Sequence, residues 1–305
     1  MKAIRFHVRG GPESFVYEDA PMPHPGVGEV LVGVHAAAVT PTELEWVPTW
    51  TTPVGAPRPF PIIPGHEFSG EVRAVGAGVT DFAIGDAVFG MNDWYIDGAQ
   101  AEYCVARAVD LAPKPQAIDF VHAAVTPISA LTAWQGLIER ARLARGERVL
   151  IHGAAGGVGV FAVQIARWCG GRVIGTASAH NVEFVRGLGA NEVIDRGAQR
   201  FEDLVHDADV VFDTVGGETL ERSWGVLKAG GRLITIAASS EQTEETRVRD
   251  AFFIVEPNRA QLTRIASLID SGDLRTIVGG VFPLEQARRA YEHKPVRGKV
   301  ALTVV

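Results

Sequence analysis

Between Arg148 and Trp168 the chain reads as a short apolar run, then His152-Gly153-Ala154-Ala155-Gly156-Gly157-Val158-Gly159, then a run of small and apolar residues. Glycines gain chemical meaning when they link a strand to a helix in this way. The chain must reverse tightly, bring bare backbone against a pyrophosphate, and pack the next helix onto the sheet. Each task excludes a Cβ at one point. The phosphate charge then sits at the helix N-terminus, where N–H groups lack partners and the dipole is favourable. This turn predicts a dinucleotide site.

The residues that follow bear on which dinucleotide it is. An NAD site usually carries Asp or Glu roughly 20 residues on, at the end of the second strand, holding the ribose hydroxyls. Here that region reads Val173-Ile-Gly-Thr-Ala-Ser178-Ala-His180-Asn181, and the first acid, Glu183, falls on the next predicted helix. A carboxylate would repel a 2′-phosphate, so its absence permits NADPH. Ser178 and Asn181 are the expected hydrogen-bond donors to that phosphate. Arg196, just past the third predicted strand, is the expected source of positive charge. His180 is read as a bystander.

Nucleophilic chemistry has no support, since Ser129 and Ser178 lack a glycine-elbow context. Thr40 and Tyr95, with water, are the weak candidates for supplying a final proton. Thr40, Trp46, Trp50, Phe60, Phe89 and Trp94 are candidates to wall a substrate pocket, with core packing the competing role for each aromatic.

The elements that must position these residues show in the hydrophobic pattern. From Arg148, predicted strands at 148–152, 172–176, 192–195, 209–214 and 231–236 alternate with helices at 158–168, 181–188 and 220–227. Strict alternation predicts a parallel sheet covered on both faces, a doubly wound Rossmann-type α/β unit. Before it, Val121 to Arg145 predicts two helices, or one bent near Pro127. Residues 1–118 are short β-rich pieces between Gly/Pro clusters and predict a barrel-like unit. Prolines at 53, 57, 59, 61 and 64 mark an irregular loop of the kind that lines sites. The tail predicts a strand-like piece at 252–257 and amphipathic helices at 258–271 and 282–293, the latter with Pro283 near its first turn. A strand at 299–304 closes the chain. Residues 119–257 thus read as an α/β unit inserted between 1–118 and 258–305.

Composition narrows the partners. With 305 residues, 47% hydrophobic and 21% charged, the chain is globular and long enough for about two domains. A formal charge of −7 and the lack of a Lys/Arg run oppose nucleic acid or anionic membrane as partner. Cys104 and Cys169 are the only cysteines and have no paired spacing, which fits a reducing compartment. No apolar run reaches about 18 residues and no signal-peptide core opens the chain, so a soluble, cytoplasmic protein is expected.

Taken together, Gly28-Glu-Val-Leu-Val32, Pro64-Gly-His-Glu-Phe-Ser-Gly70, Gly85-Asp-Ala-Val-Phe-Gly90, Leu131-Thr-Ala-Trp134, the 154–159 turn, Leu188-Gly-Ala190 and Gly298-Lys299-Val300 carry a resemblance over essentially the whole chain. The sequence resembles the medium-chain dehydrogenase/reductase superfamily, in its zinc-free quinone oxidoreductase-like branch. The resemblance implies a GroES-like catalytic domain formed from both chain ends, an active site in the cleft, and a homodimer through Rossmann edge strands where Phe252 to Glu256 would sit. It also implies cofactor contacts from Thr132, Val215, Ala237, Phe253, Val255 and Lys299. Most relatives carry Tyr where this chain has Arg196 and Asn where it has Thr40, which alters the expected 2′-phosphate and nicotinamide contacts. Zinc-dependent relatives use a His-Glu pair like His66-Glu67, with Cys at the positions of Thr40 and near Ile128. Neither residue here ligates strongly and the four-cysteine lobe is missing, so no metal is expected. The implied reaction is hydride transfer from NADPH to a quinone or α,β-unsaturated carbonyl, which delocalises charge without a Lewis acid. A zinc-dependent alcohol dehydrogenase and a non-catalytic NADPH-binding sensor or structural protein remain the alternatives.

Overall fold

The computed structural model describes residues 1–304 and contains two sheets that organise the molecule, with a small N-terminal hairpin of Lys2–Phe6 and Phe15–Asp19 beside them. The first sheet has five parallel strands in the order Glu192–Asp195, Arg172–Ala177, Arg148–Ile151, Ala208–Asp213, Leu227–Thr235. In chain order that is 3-2-1-4-5, the doubly wound arrangement, with its switch point between Arg148–Ile151 and Ala208–Asp213. All six residues of Ala208–Asp213 are buried, as expected for a central strand covered on both faces. Helices Gly157–Trp168, Val182–Leu188 and Gly217–Ser223 follow the strands in the expected alternation.

The second sheet has seven strands. Its path runs Val278–Pro283, Lys299–Thr303, Glu29–Val39, Glu67–Val75, Ala87–Met91, Leu111–Pro113, and Tyr103–Arg107 pairs with the start of Glu29–Val39 off this path. The chain's last strand therefore lies beside one of its first, Val300 opposite Val39 and Thr303 opposite Ala36. Both chain ends build one unit, and the parallel sheet is inserted between them. One apolar cluster crosses the junction, from Phe89, Met91 and Trp94 through Ile128 and Leu131 to Val149, Ile151 and Phe212. Among the described residues no helix is long and apolar enough to cross a membrane.

The connecting stretch after Asp119 forms two short helices, Phe120–Ala124 and Pro127–Trp134, which continue as a π-helical segment, Gln135–Arg140. Two tail expectations change. Residues 282–293 are not one helix: Val278–Pro283 is an edge strand and only Ala287–Glu292 is α-helical. Pro283 ends that strand at the sheet edge, where a missing N–H removes no ladder bond. Residues 252–257 form no strand in the single chain, since only Phe252 bridges Thr235. Side chains hold that segment instead: Gln135 bonds both the N–H and the C=O of Glu256, and the Trp94 indole donates to the Val255 carbonyl. Helix Arg259–Asp270 buries Leu262, Ile265 and Ile269 in the apolar cluster that crosses the junction, which holds Phe89 and Ala112 as well as Val149 and Ile151.

Phe212 is fully buried in the middle of the parallel sheet, and a Cβ on Gly136 would lie 2.2 Å from its ring. Phe212→Ala should therefore cost about 3–5 kcal/mol in a denaturant titration, with little relaxation to fill the gap.

Candidate active site

Gly153 and Gly159 are demanded by the protein's own packing. Gly153 adopts φ +68°, and a Cβ there would lie 2.3 Å from Thr214 Oγ1. A Cβ on Gly159 would lie 2.1 Å from the Gly153 carbonyl oxygen. Gly156 and Gly157 differ. Their added Cβ atoms would meet nothing nearer than 3.3 Å and 3.4 Å respectively. No hard clash excludes a Cβ at either position, though one on Gly156 would press slightly on the Gly153 carbonyl, and a Cβ there would begin to fill the space beside the turn. Gly156 also caps helix Gly157–Trp168 with no side-chain bond, which leaves the first N–H groups without a capping acceptor.

Two cavities meet at this turn, both touching Gly156, Thr214, Val215 and Pro295. One, of about 460 Å³, lies between the two units. Of the residues singled out by sequence it gathers Thr40, Trp46, Thr132, Gly156, Gly157, Val158, Val215, Ala237, Phe253, Val255 and Lys299. The other, of about 640 Å³, runs along the ends of the parallel strands and gathers Gly153, Ala155, Ser178, Asn181 and Arg196. Ala154 and Gly159 are buried within the turn and line neither.

Four of the six pocket candidates lie elsewhere. Phe89 is fully buried in the core, Trp50 packs edge-on against Phe6, and Phe60 is 42% exposed beside Trp50. Trp94 stands behind the wall, edge-on to Trp46 at 4.9 Å. Tyr95, the other proton-donor candidate, is 37% exposed and lines neither cavity. Thr40 does reach the cavity, but its hydroxyl donates to Glu67 Oε1 at 3.1 Å. Thr132 lines it with its hydroxyl committed to the Ile128 carbonyl at 2.6 Å.

The floor of the interdomain cavity is an ion pair. Lys299 Nζ contacts Glu67 Oε1, while Glu67 Oε2 accepts the Ile128 N–H at 3.0 Å. Burial pushes the Glu67 carboxyl above its ordinary range, and the ammonium of Lys299 is the main opposing influence. His66 turns away and bonds the Ile96 carbonyl at 3.2 Å through Nε2. Both Glu67 oxygens are occupied, a cation already stands against them, and among the described residues no three His, Cys, Asp or Glu are grouped to hold a metal. This donor set does not fit zinc.

The larger cavity carries three arginines. Arg200 and Arg222 both bond Glu202 Oε1, at 2.8 and 2.7 Å, whereas Arg196 makes no ion pair among the described residues. Asn181 is less available than its sequence position suggests. Its amide donates to Val296 O at 3.0 Å and Ser178 Oγ at 3.3 Å, and its oxygen accepts from Arg297 at 2.7 Å. It fastens the closing segment to the parallel sheet. Arg200, Arg222, Ser129, Thr214 and Pro295 also line the cavities and were not singled out from sequence, because only the folded path of their loops brings them there.

Against this geometry the comparisons with known proteins are consistent. Residues 26–116 match the alcohol dehydrogenase GroES-like domain family and residues 188–302 the zinc-binding dehydrogenase family. A probable zinc-binding oxidoreductase, mitochondrial, from Arthroderma benhamiae is 34% identical, over 93% of this chain and 91% of that protein. The quinone oxidoreductase of Rattus norvegicus is 30% identical, over 96% and 93%. Among solved structures, the quinone oxidoreductase from Coxiella burnetii superposes with a TM-score of 0.90 at 30% identity, covering 100% of this chain and 99% of that one. A mycobacterial protein complexed with NADPH gives 0.83 at 30% identity, covering 100% of both. The chain belongs to the medium-chain dehydrogenase/reductase superfamily and is quinone oxidoreductase-like.

On the lining of the larger cavity His152 is almost wholly buried between Thr176 Oγ1 and Ser223 Oγ, at 3.1 and 3.0 Å. Burial, aided by the Arg222 charge, lowers its pKa to about 4. The unfolded chain takes up that proton near pH 6.5, so the stabilisation is complete above that pH and is lost between pH 6.5 and 4. A shift of this size corresponds to about 3 kcal/mol. Denaturation measured across that window should show a flatter pH slope for His152→Gln than for the unaltered protein.

Proposed function

We propose that this protein is a zinc-independent reductase that uses NADPH to reduce a quinone or an α,β-unsaturated carbonyl. The observation that carries this reading is the pair of glycines, Gly156 and Gly157, that keep open a space at a helix N-terminus next to the interdomain cavity. Anion and backbone fit at such a turn. The absence of a carboxylate at the end of strand Arg172–Ala177, with Ser178 and the unpaired Arg196 on the cavity wall, supports NADPH over NADH. The NADPH-bound mycobacterial neighbour supports it too.

When bound, NADPH supplies the hydride; the protein supplies position and exclusion of water. Gly153 and Ala155 to Val158 would hold the pyrophosphate, and Thr132, Val215, Ala237 and Lys299 would meet the cofactor's reactive end in the interdomain cavity. Trp46, Phe253, Ile254 and Val255 give that cavity apolar walls suited to a flat, conjugated acceptor. Lys299 holds a fixed positive charge at the floor, near enough to favour negative charge developing on an acceptor oxygen. The outer edge of strand Leu227–Thr235, bridged only at Phe252, is the surface that supports a homodimer.

The direct test is a panel of quinones and unsaturated carbonyls, each assayed with NADPH and with NADH. The reading expects turnover with NADPH preferred; preference for NADH, or cofactor binding without turnover, would overturn it. Gly156→Val should retain the fold, judged by melting temperature, while weakening NADPH binding at least on the order of tenfold in a fluorescence titration.

A further inference from the structure

The interdomain cavity has two facing walls contributed by different parts of the chain. One is the segment following strand Glu29–Val39, a 3₁₀ turn Pro41–Leu44 and a one-turn helix Val47–Trp50, which brings Thr42, Glu45 and Trp46 to the cavity. The other follows strand Leu227–Thr235 and brings Ala237, Ala238 and Ser239. Glu241 comes next in the chain. Its carboxylate oxygens accept the backbone N–H of Val47 at 3.1 and 3.3 Å, across 194 residues of sequence.

Nothing else explains this carboxylate. Glu241 forms no ion pair among the described residues, and burial pushes its carboxyl above the ordinary range, opposed only by the Val47 N–H. Val47 in turn is a first-turn donor with no acceptor inside its own short helix. The other polar ties of this wall run back to its own unit: Thr49 Oγ1 to the Glu43 carbonyl, Trp50 Nε1 to Leu44 O at 2.9 Å, Arg58 to Thr49 O at 3.3 Å. The Trp46 indole N–H has no partner at all, so packing against Trp94 and the neighbouring backbone fix its ring. A carboxylate–amide bond belongs to the stronger class of hydrogen bonds.

We infer that Glu241 is a specificity-determining residue: by clasping Val47 it holds the Trp46 wall against the Ala237–Ser239 wall and sets the size of acceptor the cavity admits. This rests on reading that cavity as the acceptor site. Release of the clasp lets the Trp46 wall move outward. Small acceptors then lose close contact, and bulky ones gain room.

The test compares Glu241→Ala and Glu241→Gln using 1,4-benzoquinone, 1,4-naphthoquinone and 9,10-phenanthrenequinone with NADPH. In Glu241→Ala the ratio of kcat/KM for the largest to the smallest quinone should rise on the order of tenfold, mostly through KM. NADPH affinity and melting temperature should stay near those of the unaltered protein. The Gln amide oxygen still accepts the Val47 N–H, so Glu241→Gln should keep the original ratio within about twofold. If Glu241→Ala does not fold, Glu241→Asp, which keeps the charge but not the reach, carries the same expectation. An unchanged ratio in a folded variant, or equal loss on all three quinones, overturns the inference. An unaltered protein inert towards every quinone would sink the reductase reading itself, which is a separate outcome.

Discussion

Beside the site, three consecutive residues, Val296 to Gly298, bond the unit built from both chain ends to the parallel-sheet unit, and the apolar cluster crossing the junction backs that seam. The Val296 carbonyl accepts from Asn181, and Arg297 bonds both the Asn181 side chain and the His180 carbonyl. Gly298 donates to the Ala155 carbonyl of the glycine turn at 2.9 Å, and Lys299 reaches Glu67. Gly298 must be glycine: its φ is +64° and a Cβ would lie 2.1 Å from Ile277 O. The closing strand that completes the seven-stranded sheet is thus stitched to the parallel sheet before it begins. Loose interfaces between domains resemble transient protein contacts. Here a shared apolar cluster and a polar seam fix the cleft between units instead.

The Lys299–Glu67 pair is costly to bury, and removing either partner would leave an uncompensated charge. Such a pair is weak evidence for stability but good evidence for position. Thr40 and the Ile128 N–H complete the carboxylate's hydrogen bonds, so its geometry is held from three separate elements. The result is a fixed ion pair at the cavity, with Lys299 on its lining and Glu67 already engaged where a metal would need it free. That arrangement accounts for a chain that matches a zinc-binding dehydrogenase family yet groups no zinc donor set among the described residues.

How much was legible in the sequence depended on the range of the physics involved. The parallel sheet was readable because period and alternation are local: all five strands lie within two residues of expectation at their starts except Leu227–Thr235, which begins earlier through Lys228 and two glycines. Strand Val278–Pro283 was hidden by Gly279, Gly280 and Pro283, residues that argue against a strand unless it lies on an edge. Pocket aromatics were the least readable. Phe89, expected in a loop, lies on strand Ala87–Met91 and faces the core, whereas Trp46 precedes a one-turn helix and faces the cavity, and only the folded path separates the two. The Lys299–Glu67 pair joins residues 232 apart, and no local pattern announces it.

The glycine turn shows why a motif needs its structure before it supports a function. All four glycines match a fingerprint, yet Gly153 and Gly159 would be required by steric packing alone. An unliganded protein could keep those two for fold reasons and replace the others freely. Gly156, the helix cap, and Gly157, its first residue, meet no hard clash of that kind: an added Cβ would come no nearer than 3.3 Å and 3.4 Å to its neighbours. Their lack of side chains leaves bare backbone within reach of a ligand, which is what the proposed cofactor needs. The charges nearby sharpen the identity of that ligand. Glu202 already engages Arg200 and Arg222, which leaves Arg196 as the cation of that wall without an acidic partner. Under the proposed reading, the 2′-phosphate of NADPH would supply such a partner.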